Sequence, residues 1–191
     1  QAIFAIIRKD ISALTGSSQT LIPLIIVPVM FLVIMPVIML LSVSMGDMSE
    51  VQELLELVKF GEFSYATPVQ AAVDLIANYI FVPFFLLTPV MVATITAALS
   101  FTGEREKHTM ESLLYTPITE RELLISKILA SFLPAILVAV AGFVIYGVVV
   151  NVVGYSTMGG IFFPNLNWLP FMLLMVPAFS LLAIALMVLI S

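Results

Sequence analysis

The chain has 191 residues, of which 62% are hydrophobic and only 10% are charged, with a formal net charge of −5. A soluble domain carries about 25% charged residues, and at this size its interior is too small to hide so much apolar surface. The composition therefore indicates an integral membrane protein. Because the chain has no cysteine, disulfide frameworks, thiolate metal sites and cysteine nucleophiles are excluded.

Four apolar runs are long enough to cross a bilayer as helices, which requires roughly 20 residues each. No Lys, Arg, Asp or Glu occurs within 21–43, 75–101, 128–153 or 168–190. Polarity does not alternate along these runs, as it would in the strands of a transmembrane barrel. We therefore expect an all-α integral membrane protein with four transmembrane helices in this chain.

The predicted elements follow from these runs and from the residues between them. In chain order they are an interfacial amphipathic helix at 1–18, a first span at 21–43, an external acidic loop or helix at 45–70, a second span at 71–101, a cytoplasmic segment at 102–126, a third span at 127–153, an external loop at 154–167 and a fourth span at 168–190. Together they form a single transmembrane domain over residues 1–191.

The basic residues predict the orientation of the chain. Six of the seven Lys and Arg residues precede the first span or lie between the second and third spans. Basic residues concentrate in cytoplasmic loops near the ends of spans. We therefore expect a cytoplasmic N-terminus in a plasma membrane. Arg8 and Lys9 lie off the apolar face of the first 18 residues, as expected for a helix in the inner interface.

The loop after the first span is acidic, and its apolar residues recur at helical spacing. They are Val51, Leu54, Leu55 and Val58. We expect a short amphipathic helix here. It either connects the spans or gates the exit of a substrate, and the sequence leaves both alternatives open.

Two groups of residues in the spans are candidates for packing or transport. Small side chains let helices approach closely in lipid, and the third span carries such a stripe: Ser131, Ala135, Ala139 and Gly142. We expect this stripe to pack against another helix. Asp74 and Asn78 lie one turn apart near the outer end of the second span. Ionisable groups within membranes are often functional, although Asp74 is expected to lie near enough to the surface to stay hydrated.

Aromatic residues and prolines mark the ends and interiors of the spans. Tyr79, Tyr155 and Trp168 fall near span ends, where interfacial aromatics are common. Pro36 lies deep enough in the first span to remove a backbone hydrogen bond and kink the helix. Fixed packing geometry is the expected role of the prolines, with hinges for alternating access as the alternative.

The segment at 102–126 is the one charge-dense stretch of any length. Residues Glu104–Tyr115 fit a short helix that Pro117 terminates, because the residue before a proline is disfavoured in a helix. Thr119 and Glu122 form a capping-box pattern. This pattern predicts a second helix that runs through Lys127 into the third span. The resulting corner is either a solvated loop or an element that docks a partner.

The same segment resembles the signature of type-two ABC exporter permeases. The match rests on the sequence Gly-Glu-Arg-Glu-Lys at 103–107 and on residues at fixed spacings after it, which include Thr116 and Lys127. The residues that the resemblance assigns to coupling are Glu104, Arg105, Glu106, Lys107, Thr109, Glu111, Leu113, Leu114 and Pro117.

The resemblance implies that this segment is a coupling helix, which docks in a groove of a separate nucleotide-binding subunit. It also implies a second permease chain, in a homodimer or heterodimer, and ATP and Mg on the partner ATPase subunit rather than on this chain. The family usually has six spans, so we expect this four-span chain to be either part of a longer six-span permease or a divergent member of the family.

The sequence carries no motif for chemistry of its own. It has no phosphate-binding loop of the form G-x-x-x-x-G-K-[S/T], no H-E-x-x-H zinc motif and no G-x-S-x-G nucleophile. With one histidine and no cysteine, no metal site is expected, and the basic residues are too few for nucleic-acid binding. The alternative to an exporter subunit is an ATP-independent channel or membrane scaffold.

Overall fold

The computed structural model describes residues 18–46, 48–58, 65–106 and 120–190. The predicted interfacial helix at 1–18 therefore lies outside the described residues, apart from Ser18. Most of the predicted coupling segment, at 107–119, also lies outside them. Within the described ranges the chain forms helices and short connections, with no strand.

Four of the described helices are long and apolar enough to cross a membrane, which confirms the predicted all-α class and the number of spans. They are span 1, Ile22–Met45; span 2, Pro68–Ser100; span 3, Arg121–Met158; and span 4, Trp168–Ile190. Span 2 begins with Thr67 as its N-cap, whose hydroxyl accepts a hydrogen bond from the Gln70 N–H, and with proline at the first helical position, where its missing N–H costs nothing.

Three spans contain one wider, π-helical turn, and a proline follows each turn closely. The turns are Met30–Ile34, Ile76–Ile80 and Phe171–Met175, and the prolines are Pro36, Pro83 and Pro177. The carbonyl four residues before each proline lies inside the turn. Because proline lacks an N–H and its ring clashes with that carbonyl, a wider turn relieves the clash. The Phe81 N–H accordingly donates to the Ile76 carbonyl, five residues back, at 3.3 Å.

The helices on either side of the charged segment extend beyond their apolar runs. Helix α1, Val82–Glu106, continues span 2 to the last residue described before the segment. Helix α2, Glu120–Met158, runs without a break through Lys127 into span 3, as the capping pattern predicts. Residues 104–106, which the sequence places in a separate short helix, continue α1 instead.

A helix also occupies the acidic loop, at Met48–Val58. Val51 on its apolar face is buried, while Gln52, Glu53 and Glu56 are exposed. The helix packs against the first turns of span 2, Pro68–Leu75. The expected amphipathic helix is therefore present, with Val51 buried and Leu55 half-buried on its apolar face.

The chain divides into two compact units, and each span contributes to both. Unit 1 comprises Gln1–Val27, Leu86–Val140 and Phe171–Ser191, and unit 2 comprises Pro28–Phe85 and Ala141–Pro170. The core of unit 1 consists of small and branched side chains: Val92, Ala93, Ala97, Ala135 and Ile184. The core of unit 2 is aromatic and is described below.

Candidate functional site

The two helices that bracket the charged segment are joined by hydrogen bonds inside unit 1. The Lys127 ammonium donates to the Ser100 carbonyl at 2.7 Å. One turn further from the charged segment on both helices, the Thr96 hydroxyl lies 3.2 Å from the Ser131 carbonyl and shares its single proton with the Val92 and Ala93 carbonyls of its own helix, at 2.8 and 3.1 Å. All four residues are buried. We call this set of residues the polar ladder.

The polar ladder follows from the spacing of its residues. Thr96 and Ser100 are four apart on α1, and Lys127 and Ser131 are four apart on α2, so each pair lies on one face of its helix. The Ser131 hydroxyl also donates to the Lys127 carbonyl at 3.1 Å, which links the two rungs along α2. In lipid, such bonds and close packing replace the hydrophobic drive that holds soluble helices together.

The small-residue stripe of span 3 lies on the same side of α2 as the ladder. Ser131 and Ala135 are fully buried, and Ala139 is 1% exposed. In unit 2, Gly142 is buried, and a Cβ added there would lie 2.7 Å from the Leu32 Cδ1. The structure therefore places all four predicted packing residues in protein interiors.

Of the predicted coupling residues, the structure describes only the backbone at 104–106, which is helical. The other predicted coupling residues lie outside the described ranges: Lys107, Thr109, Glu111, Leu113, Leu114 and Pro117. The segment is nevertheless continuous with two described helices, α1, which reaches Glu106, and α2, which begins at Glu120. These are the two helices that the polar ladder joins.

The second polar group lies in unit 2 and is centred on Asn78. The Asn78 amide donates to the Asp74 carboxylate at 2.7 Å. Its oxygen accepts from the Trp168 indole N–H at 3.0 Å and from the Asn165 backbone N–H at 3.3 Å. Asn78 is 3% exposed and Asp74 is 7% exposed. The expectation of a hydrated Asp74 is therefore wrong, because neighbouring elements cover the first turns of span 2.

Tyr65 adds a phenol to this group from just before span 2. It forms a side-chain hydrogen bond with Asp74. Partial burial, followed by the nearby Asp74 charge and that hydrogen bond, raises the pKa of Tyr65 to about 12. The phenol therefore remains protonated at neutral pH and acts as a donor to the carboxylate.

Trp168 lies inside unit 2 and not at an interface, so the interfacial prediction is wrong for this residue. It is 2% exposed and lies at the centre of an aromatic cluster. Its ring contacts Phe85 and Phe163 edge-on, with centroids 5.4 and 5.0 Å away. Tyr146, in the same cluster, donates to the Ala77 carbonyl at 2.7 Å. Tyr79 and Tyr155 are exposed, at 45% and 61%.

Asn151 holds the connection between spans 3 and 4. Its oxygen accepts from the Phe162 and Phe163 N–H groups at 3.0 and 3.2 Å. Its amide donates to the Phe163 carbonyl at 2.8 Å. Together with Asn78, which accepts from the Asn165 N–H, it fixes the backbone of this connection on both sides of Pro164.

The sequence did not single out Lys127, Asn151, Asn165 or Trp168 for these roles. The matched four-residue spacing of Thr96 with Ser100, and of Lys127 with Ser131, is a signal that could have found the ladder. No regular spacing in the sequence predicts the contacts of Asn151, because its partners at Phe162 and Phe163 lie in a connection without regular structure.

The arrangement of the described polar side chains holds helices together. Within the described ranges, no group of three His, Cys, Asp or Glu side chains could hold a metal ion. The buried polar side chains described above bond to carbonyls, amides or each other. Their geometry suits mechanical connection between helices.

Neither a curated protein nor a solved structure matches the chain significantly. A family model described as ABC-2 family transporter protein matches residues 4–191, nearly the whole chain. This match agrees with the four apolar spans and with the signature between spans 2 and 3. The chain belongs to the ABC-2 family of transporter proteins and is a multi-pass membrane protein.

Proposed function

We propose that this chain is the membrane subunit of an ATP-driven exporter. A separate ATPase subunit binds and hydrolyses ATP with Mg, and this chain moves the substrate across the plasma membrane by alternating access. It pairs with a second permease chain and has a cytoplasmic N-terminus. Family membership supports the role of a transporter subunit, and the distribution of basic residues supports the orientation.

One observation carries the mechanical part of this proposal. The helices of spans 2 and 3 extend past their apolar runs to Glu106 and Glu120, on either side of the charged segment. The polar ladder joins those two helices at Thr96, Ser100, Lys127 and Ser131. A force applied to the segment therefore acts on both spans together, which is what coupling to an ATPase requires.

Within this proposal, the residues at 104–117 form the docking element for the ATPase. Leu113 and Leu114 supply an apolar ridge. The charged residues around them, Glu104, Arg105, Glu106, Lys107 and Glu111, give the docking contact its orientation through charge complementarity, which steers specificity more than affinity. Thr109 and Pro117 complete the signature, and Pro117 ends the docking helix.

Asp74 and Asn78 have a supporting role in this proposal and do not contact the substrate. The Asn78 amide and oxygen are both engaged within unit 2, by Asp74 on one side and by Trp168 and Asn165 on the other. A residue engaged in this way is suited to fixing the start of span 4. The same reasoning assigns a packing role to Ser131, Ala135, Ala139 and Gly142.

Copurification tests this proposal directly. The tagged full-length protein is purified from its native membranes in mild detergent, and the accompanying proteins are identified by mass spectrometry. We expect a soluble subunit with a phosphate-binding loop at about one copy per permease chain. Leu113→Asp should remove it, because a charge in an apolar docking ridge is costly to desolvate.

Leu166→Asp is the matched control, since it makes the same change at a side chain that is 88% exposed in the connection between spans 3 and 4. This variant should retain the ATPase. If the folded parent protein carries no ATPase, the exporter proposal fails and a channel or scaffold takes its place. If Leu113→Asp retains the ATPase as well as the control does, the assignment of the docking ridge fails.

A further inference from the structure

Lys127 lies where a lysine would ordinarily extend towards water. It is the last charged residue before the apolar run of span 3, and lysines at such positions usually extend along the helix so that the ammonium stays hydrated. Here the residue is only 3% exposed, and its ammonium donates to the Ser100 carbonyl on the neighbouring helix at 2.7 Å. Burial of this group must therefore be compensated by its contacts within the protein.

The partner of Lys127 is a backbone carbonyl inside a continuous helix. Helix α1 extends beyond Ser100 to Glu106, so this carbonyl also has its regular helical position. A carbonyl oxygen has two lone pairs and can accept a second hydrogen bond. Because the acceptor belongs to the backbone, the contact fixes the position of α1 itself and not that of a mobile side chain.

The second rung fixes the register of the same two helices. Thr96 lies one turn before Ser100, and Ser131 lies one turn after Lys127, so the two bonds form successive rungs between antiparallel helices. Ala93 and Ala97, both fully buried, lie on α1 beside the rungs and permit close approach. Two rungs at matched spacing restrain both sliding and separation, whereas a single bond would act as a pivot.

We infer that Lys127 is a positioning residue that fixes the spacing of α1 and α2, so that the charged segment and both spans move as one body. The spacing follows from the described contacts alone. Its consequence for transport rests on the proposed function, since it requires an ATPase to act on the segment. Without this rung, movement of the segment would be absorbed by pivoting of α1 against α2 about the remaining rung.

A distance measurement tests the spacing without any ATPase. The parent chain has no cysteine, so spin labels attach only at introduced Leu99→Cys and Ile125→Cys. These side chains are 45% and 50% exposed and lie beside the two partners of the first rung. The full chain is placed in nanodiscs of phosphatidylcholine and phosphatidylglycerol, and the distance between the labels is measured by pulsed electron paramagnetic resonance.

We expect a single narrow distance distribution in the parent, and a second or broader population in Lys127→Met. Methionine keeps an unbranched stem but removes the donor, and removing a hydrogen bond made by a charged donor shifts an equilibrium by about tenfold or more. Lys127→Arg retains a charged donor and should restore the narrow distribution. Arg121→Met is the matched control, because it removes one exposed positive charge from the same helix.

Each outcome of this measurement decides the inference. A narrow parental distribution in Lys127→Met overturns it, as does an equal broadening in Arg121→Met, which would point to a general effect of charge. Should Lys127→Met fail to yield folded protein, Thr96→Val removes the second rung, together with the bonds of the same hydroxyl to the Val92 and Ala93 carbonyls of its own helix, and leaves the first rung in place. It should broaden the same distribution, and unchanged spacing in that variant would overturn the inference.

Coupling is then measured in the complex with the copurified ATPase, as substrate transported per ATP hydrolysed. We expect Lys127→Met to lower this ratio by about tenfold with the KM for ATP unchanged, because loss occurs after nucleotide binding. Lys127→Arg should rescue it. Altered spacing with an unchanged ratio would overturn the role in coupling. If no ATPase copurifies, the proposed function fails, while the distance measurement still decides the role of Lys127 in spacing.

Discussion

Replacing Asn78 by leucine should destabilise unit 2 strongly, although it places an apolar residue of similar shape in a membrane span. The Asn78 side chain makes three hydrogen bonds, to Asp74 at 2.7 Å and from Trp168 and Asn165 at 3.0 and 3.3 Å. Leucine would leave two donors and a carboxylate without this partner. A buried group that loses its partner costs about 1 to 3 kcal/mol in soluble proteins, and interhelical bonds in membranes average about 0.6 kcal/mol.

These two scales bracket the expected effect. Three bonds on the membrane scale give a loss of about 2 kcal/mol, and the buried carboxylate moves the value towards about 4 kcal/mol. The chain offers a direct probe, since Trp168 is its only tryptophan and is itself one of the partners of Asn78. Denaturation in mixed micelles with increasing dodecyl sulfate, followed by tryptophan fluorescence, measures the free energy of unfolding.

Two variants make this test specific. Asn167→Leu makes the same chemical change at an exposed residue next to Trp168 and should leave the free energy of unfolding within about 0.5 kcal/mol of the parent. Adding Asp74→Asn to Asn78→Leu should recover about 1 kcal/mol, because the residue left without its partner is then neutral. If Asn78→Leu is as stable as the Asn167→Leu control, with the same fluorescence emission, the Asn78 network does not stabilise this unit.

Two further predictions concern residues outside that network or at its edge. Tyr65→Phe should lower the stability of the protein at neutral pH, and the advantage of the parent over this variant should shrink as the pH rises from about 10 to about 12. The sign follows from the raised pKa of Tyr65. A raised pKa stabilises the folded state at every pH below the pKa of the unfolded state, and this stabilisation is lost as the pH rises through the folded-state pKa. Melting curves of both proteins at each pH measure the difference in stability. Gly142→Ala should destabilise, because its new Cβ would lie 2.7 Å from the Leu32 Cδ1 and Leu32, itself only 2% exposed, must shift. The strain of overpacking, about 1 to 3 kcal/mol, then exceeds the roughly 0.5 to 1 kcal/mol that alanine gains over glycine in a helix. Gly160→Ala, where a Cβ meets nothing within 4 Å, should leave the unfolding midpoint within about 2 °C of the parent, and equal effects of the two would contradict the packing argument.

The spans could be predicted from the sequence because membrane insertion depends on local composition. An uncharged apolar run of sufficient length must satisfy its backbone bonds internally, so it forms a helix whatever its neighbours are. The continuation of the third span back to Glu120 was also predictable, since a capping pattern is local. The helix at Met48–Val58 followed from its apolar periodicity for the same reason.

The burial of particular side chains could not be predicted, because it depends on which helices become neighbours. Trp168 occupies a span end, where an indole commonly faces the interface, yet four aromatic side chains surround it in unit 2: Phe85, Phe143, Tyr146 and Phe163. Asp74 likewise sits near the beginning of a span but is covered. The sequence predicted correctly that both residues lie near the ends of spans. It did not predict that both side chains are buried.

The wide turns illustrate a further limit of local reasoning. The sequence identifies Pro36 as a residue that removes a hydrogen bond, and a kink is the expected response. The structure shows a π-helical turn in the preceding residues, with the Met35 N–H donating to the Met30 carbonyl, which the sequence did not predict. Proline fixes which bond is lost, but it does not fix how the neighbouring carbonyls find other donors.

Few side chains determine which helices pack together in this fold, because many of the apolar side chains on the spans are exposed and suited to contact lipid. Leu137 and Val152 on span 3 are 67% and 70% exposed, and their apolar character makes them compatible with a bilayer without selecting a neighbouring helix. Selection falls instead to small residues and to polar groups whose partners lie on another element. In unit 1 that role belongs to the rungs made by Lys127 and Thr96. In unit 2 it belongs to Asn78 and Asn151. Both side chains form hydrogen bonds with the backbone of the connection before span 4. These bonds hold the connection in place whatever side chains the bonded residues carry.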